Sequence, residues 1–214
     1  AFGWKPARVI SGNFGTQILF RTLPLGFTVG YIPKPVISDQ SVSEQFWREI
    51  DEVCRKNRAV FFKIELDRWE DSPLVTELRN TQYGVRISPH NIQPPRTILI
   101  NIKDGEDAML ARMKQKTRYN IRLAEKKGVT VRAWDDIESF HKMMLVTGGR
   151  DGFGVHSLEY YKRAYDLFHP KGMCEILVAE YEGKPLAALF VARNGNRAYY
   201  LYGASTDEER NRMP

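Results

Sequence analysis

The sequence predicts a mixed α/β fold of the α+β kind, and three observations carry that reading. Short apolar runs alternate with stretches whose apolar residues recur every three or four positions. The later part holds three strand-like runs joined by tight-turn dipeptides. Across 214 residues, 43% are hydrophobic and 27% charged, enough to fill a core and too apolar for a disordered or collagenous chain.

Residues 17–25 and 27–32 are apolar and aromatic runs parted by Pro24 and Gly26, which reads as a hairpin. Residues 43–57 carry Phe46, Trp47, Ile50, Val53 and Cys54 at helical spacing, the pattern of an amphipathic helix. The run over 59–66 then fits a mostly buried strand, and 97–102 (TILINI) fits another behind Pro94 and Pro95. A helix is expected from Asp104 to Gly128. Leu110, Met113, Thr117, Ile121 and Ala124 mark one face and Lys114, Arg118, Arg122 and Lys126 another. A strand over 129–134 follows, then helices over 136–147 and 158–168 around a glycine-rich turn. The chain then reads as strands over 175–181, 185–193 and 197–203, turned at Glu182-Gly183 and Asn194-Gly195. This order of elements is the opening of an acyltransferase-type α/β unit. The sequence ends after the meander, so the later unit is expected to be incomplete and the chain a piece cut at both ends.

Lys and Arg number 32 against 26 acids, and the net charge of +6 favours phosphates, nucleic acid or an acidic membrane face. The longest uncharged run, 22–33, is too short for a bilayer and broken by Pro and Gly. Cys54 and Cys174 lie far apart with no zinc-like spacing, so neither a disulfide scaffold nor a metal site is expected. The first residues form no charged-then-apolar leader, and a cytoplasmic placement follows. Walker, dinucleotide, zinc-protease and serine-hydrolase motifs are missing from the sequence.

Chemistry is therefore sought in looser groupings. The stripe Lys114, Arg118 and Arg122 is either a solvated face or a phosphate grip. Glu65 and Asp67, ending an apolar strand, are either a base aimed at a cleft or charges reaching water. Arg150, Asp151 and His156 sit among four glycines before a helix, where a loop either binds an anion or only turns. Alternation sends Tyr200 and Tyr202 to one face of the last strand and Tyr199 to the other. His90, His141 and His169 have no partners at motif spacing and read as surface or helix-face residues.

The order of Pro94-Pro95-Arg96-Thr97, the Lys-Thr-Arg-Tyr-Asn-Ile-Arg core at 116–122, AEYEGKPLA at 179–187, YLYGAS at 200–205 and the closing NRMP resembles the Fem family of peptidoglycan bridge-forming aminoacyltransferases. The resemblance implies two acyltransferase-like (GNAT-like) domains, here 1–133 and the first half of a second over 134–214. It implies transfer of an amino acid from aminoacyl-tRNA to the stem-peptide amine of a pyrophosphate-bearing precursor, lipid-linked or nucleotide-linked. No cofactor or metal is implied. A monomer working at the inner membrane face is expected, with this piece inactive alone.

By the same resemblance Glu65 holds the position of the proposed base. The family's acidic residue is followed by Pro, whereas this chain reads Glu65-Leu66-Asp67, which leaves Asp67 as a substitute. His156 and Tyr160, with Tyr202 or Tyr200, fall at precursor-contacting positions. His156 stands where a relative has Arg, and the family's phosphate-binding and oxyanion lysines fall outside 1–214. Two other readings stand beside it: a coenzyme-A-dependent N-acyltransferase, disfavoured because 206–214 lacks a glycine-rich pyrophosphate loop, and a non-catalytic tRNA-binding module resting on the basic stripe.

Overall fold

A computed structural model of the protein describes residues 2–11, 14–35, 44–68, 72–79 and 85–214. The chain forms two compact units, Ala1–Leu99 and Ile100–Pro214. That division lies ahead of the expected boundary after residue 133, because the strand ending at Trp134 pairs with Ile176 in the second unit's sheet.

In the first unit β1 (Lys5–Ser11), β2 (Phe14–Thr22), β3 (Thr28–Pro33) and β4 (Ala59–Glu65) form a sheet in that order. The first three strands are antiparallel, and β3 and β4 are parallel, joined by α1 (Glu44–Lys56). Ile18 and Phe20 alternate into the core as a strand requires. Phe46, Trp47, Ile50 and Cys54 bury one stripe of α1, while the pairs Glu44–Arg48, Asp51–Arg55 and Glu52–Lys56 line its outer side. A short helix α2 (Pro73–Arg79) adds Leu74 and Leu78 to the same core.

Two expectations here need correction. β4 is not mostly buried, with Val60 and Phe61 55% and 61% exposed, because β4 ends the strand order and has a neighbour on one side only. Residues 97–102 form no strand. Ile98 and Leu99 are more than four-fifths exposed, and no strand among the described residues pairs with this segment. Apolar alternation supplies a face, whereas a strand also needs a hydrogen-bonded neighbour.

The second unit contains α3 (Glu106–Arg112), α4 (Gln115–Lys126), β5 (Thr130–Trp134), α5 (Ile137–Asp151), α6 (Leu158–Phe168), β6 (Cys174–Tyr181), β7 (Lys184–Asn194) and β8 (Arg197–Ser205). Its antiparallel sheet runs β5-β6-β7-β8. Ile176, Val178, Ala188 and Phe190 on one sheet face meet Phe140, Met144 and Tyr161 from α5 and α6. Asp136 and Ser157 cap these two helices by accepting the N–H of Ser139 and Tyr160, at 2.9 and 3.3 Å.

The helix expected over 104–128 is broken. Met113 and Lys114 are extended, with ψ of 152° and 147°, and the Arg118 guanidinium donates to the Met113 carbonyl that the break sets free. The expected turn after Thr147 is also displaced, since α5 continues through Gly148 and Gly149 to Asp151. Gly148 serves packing: a Cβ there would lie 2.5 Å from a methyl of Val155.

Candidate functional site

At the end of β4, Lys63 and Glu65 share one face because strand side chains alternate. Tyr31 stands opposite Lys63 on the parallel neighbour β3. The Tyr31 hydroxyl donates to Glu65 Oε2 at 2.7 Å, the Ile92 N–H to Oε1 at 2.6 Å and the Gln93 N–H to Oε2 at 2.9 Å. Lys63 Nζ lies 3.5 Å from Oε1 and also donates to the Ser88 hydroxyl and the His90 carbonyl. Burial by itself raises the pKa of Glu65, but the Ile92 N–H, the Tyr31 hydroxyl, the Gln93 N–H and the Lys63 ammonium outweigh it and hold the carboxyl below the ordinary glutamate value. Burial and the Glu65 carboxylate push the Tyr31 phenol up to about 12.

Glu65 is therefore an ionised carboxylate whose two oxygens already accept from its own chain, and such a group is a weaker proton acceptor than a solvated glutamate. Asp67, two residues on, is exposed and faces Lys34 at 3.8 Å. Neither Tyr31 nor Lys63 belongs to a motif of the sequence. The legible signal was the i, i+2 spacing of Lys63 and Glu65; the pairing with Tyr31 was not legible.

In the second unit the ring of His156, just ahead of α6, stacks on Tyr160, with centroids 4.0 Å apart and planes 18° apart. The Tyr160 and Tyr202 hydroxyls are 3.0 Å apart, and the Tyr202 ring stands edge-on to Tyr161 at 5.2 Å and 90°. Burial, then the hydrogen bond to Tyr160, raises the Tyr202 phenol well above its ordinary value, so it stays neutral through the physiological range. A ring nitrogen of His141 meets the His156 carbonyl at 3.1 Å, tying α5 to the loop ahead of α6.

Tyr200 does not join this group. On β8, Tyr202 pairs with Phe190 and Tyr200 with the next residue of β7, Val191, so Leu201 is a bulge. The extra residue sends Tyr200 and Tyr202 to opposite faces, correcting the alternation expected from sequence. Tyr200 is 72% exposed and folds back over the chain: its hydroxyl lies 1.7 Å from where a Cβ on Gly203 would stand. A side chain at residue 203 would displace that exposed ring.

An open groove of about 750 Å³ follows β8, lined by Met144, Thr147 and Arg150 of α5 and by Tyr200, Tyr202 and Ser205. Thr147 fastens the two elements, its hydroxyl donating to the Ser205 carbonyl at 3.1 Å and accepting the Ser205 N–H at 2.9 Å. Arg150 reaches Asp151 and Asp207 at 3.0 Å each and the Ser205 hydroxyl at 3.1 Å. The expected grouping with His156 is not seen in those contacts: Arg150 and Asp151 belong to the last turn of α5, and two carboxylates already face the guanidinium.

Of the basic stripe, Lys114 precedes α4 and is exposed, Arg118 is half-buried on the Met113 carbonyl, and Arg122 is exposed. The carboxyl end of α4 is tied down by Arg212, which donates to the Lys127 carbonyl at 2.8 Å and lies 3.4 Å over the Tyr181 ring. No helix among the described residues is long and apolar enough to cross a membrane.

Comparison with known proteins places residues 81–184 in a match to the FemAB family. The chain is 28% identical over 202 residues to a lipid II:glycine glycyltransferase of Staphylococcus haemolyticus, covering 86% of this chain and 48% of that protein. It is likewise 28% identical over 200 residues to the lipid II:glycine glycyltransferase of Staphylococcus aureus, covering 85% and 48%. The chain thus spans about half the length of these relatives. Its fold matches the crystal structure of FemX with a TM-score of 0.86 and 22% identity, over 100% of this chain and 74% of that one.

Proposed function

We propose that this chain, whose residues 81–184 match the FemAB family, is part of an aminoacyltransferase of that family that builds peptidoglycan cross-bridges. The observation that carries the reading is the match, along 86% of the chain, to a relative whose name is a lipid II:glycine glycyltransferase. In this reading the chain holds one acyltransferase-like (GNAT-like) domain and the first half of a second. The donor is an aminoacyl-tRNA, and the acceptor is the stem-peptide amine of a precursor carrying a pyrophosphate on a lipid or a nucleotide.

The reaction forms a C–N bond at the aminoacyl carbonyl and breaks its C–O ester bond to the tRNA ribose. The acceptor ammonium releases one proton to solvent before attack, and the attacking nitrogen loses a second as the C–O bond breaks, which the departing ribose oxygen takes up to become a hydroxyl, so charge and atoms balance. His156, Tyr160 and Tyr202 are proposed to face the precursor, the two tyrosine hydroxyls offering hydrogen bonds to its phosphate or sugar oxygens. Lys114, Arg118 and Arg122 are proposed to meet nucleic-acid phosphates. The working place proposed is the cytoplasmic face of the membrane, reached peripherally and as a monomer.

The test uses the longest natural form of the protein with charged tRNAs and a purified lipid-linked or nucleotide-linked precursor. Formation of an amide-linked amino acid on the stem peptide is expected, and its absence with every charged tRNA and both precursors overturns the reading. In parallel, alanine at Lys114 or Arg122 is expected to lower the salt-dependence slope of tRNA binding by about one for each phosphate contact removed. An unchanged slope removes the stripe from the interface.

A further inference from the structure

A base must present a lone pair to the proton it removes. Glu65 presents its lone pairs to its own chain: three donors, the Tyr31 hydroxyl and the N–H groups of Ile92 and Gln93, converge on its two oxygens within 2.9 Å. The two amides are consecutive, so the carboxylate grips a run of backbone as an anion sits in a pair of main-chain donors. Lys63, two residues earlier on the same face of β4, holds the preceding part of that run through the Ser88 hydroxyl and the His90 carbonyl. The Gln93 side chain also reaches Tyr31, so residues 88–93 meet β3 and β4 at three successive points.

These residues are otherwise exposed, and 85–93 carry no helix or strand. Little apolar burial holds them. The polar hub is what fixes their path, and it does so 25 to 28 positions away in sequence from Lys63 and Glu65.

We propose that Glu65 is a positioning residue rather than the base, and that with Lys63 and Tyr31 it clamps the backbone of residues 88–93 against the end of β4. A carboxylate is suited to this work because it accepts several donors at once, and each charge-assisted bond is stronger than a neutral one. Its consequence for transfer rests on the function proposed above; the clamp itself stands on geometry alone.

The experiment is amide hydrogen exchange on the full chain, comparing wild type with Glu65→Ala, Glu65→Gln and Lys63→Met. In Glu65→Ala the exchange of Ile92 and Gln93 is expected to rise by about tenfold or more, the loss of charge-assisted hydrogen bonds, while amides of α1 and β2 keep their protection. Glu65→Gln retains one good acceptor and is expected to fall between. Lys63→Met is expected to loosen His90 more than Gln93. Unchanged exchange at Ile92 and Gln93 in Glu65→Ala overturns the clamp. Should that variant fail to fold, the Glu65→Gln and Tyr31→Phe proteins decide the matter by the same two amides.

A second readout separates positioning from base catalysis. In the transfer assay, Glu65→Gln is expected to lower the rate while leaving the acidic limb of the pH profile in place; disappearance of that limb makes Glu65 the base and overturns the inference. If wild type transfers nothing, the functional reading has failed while the exchange data still judge the clamp.

Discussion

Two polar regions of this protein are held by different physics. At the end of β4 an ionised carboxylate is fixed by two main-chain N–H groups, a phenol and an ammonium. In the second unit, the rings of His156, Tyr160 and Tyr202 are held by stacking and edge contacts on a buried floor of Tyr161, Phe140 and Phe190. The first arrangement depends on charge and so on pH. The second depends on ring packing, so it should fail when its floor is removed.

The largest effect that tests this contrast is expected from Phe140→Ala. Phe140 is fully buried against Tyr161 and Phe190, and truncating such a ring costs about 3–5 kcal/mol. Denaturant unfolding followed by tyrosine signals of the second unit should show the loss. An unchanged midpoint would mean that the ring packing does not hold the cluster.

Acid comes next. Because the folded carboxyl of Glu65 lies below its unfolded value of about 4.3, its contribution is complete above that value and is lost as pH falls through the lower folded one. Protection of the Ile92 and Gln93 amides is therefore expected to persist at about pH 5 and to be lost only as pH falls below the ordinary glutamate value, with the near-ultraviolet signal of the Tyr160–Tyr202 cluster flat across the same window. Parallel loss of both signals would erase the distinction between the regions.

A smaller change is expected from Tyr202→Phe, which removes one hydroxyl partner of Tyr160 while keeping the ring, at about 1 kcal/mol of stability. If the cluster faces the precursor, the variant should also raise KM for precursor more than it alters kcat. The smallest effect is expected from Gly203→Ala. The added methyl should push the exposed Tyr200 ring outward with little change in stability, seen as a shift of the Tyr200 resonances alone. Loss of the Tyr160–Tyr202 contact in that variant would show that the bulge does not insulate the two faces.

Much of the architecture was legible along the chain. The helix over 43–57 appears as α1 because four buried side chains recur at its period, and the meander appears as β6 to β8 because Glu182-Gly183 and Asn194-Gly195 provide local turns. Where periodicity misled, the missing information was a neighbour: TILINI has the pattern of a strand but no pairing partner among the described residues, and β4 is exposed because it ends the strand order. Of the candidate site, Tyr160 and Tyr202 do meet, while Tyr200 does not, since one extra residue at Leu201 inverts the alternation.

The amino-acid order determined, without help, where α1, α5 and α6 start, where the meander turns and that the net charge is positive, because these depend on composition and on residues within about one turn or one strand of each other. Tertiary structure alone decided what Glu65 does. Its donors come from Tyr31 and from residues 92 and 93, and whether a carboxylate is open or occupied depends on which distant N–H groups the fold delivers to it.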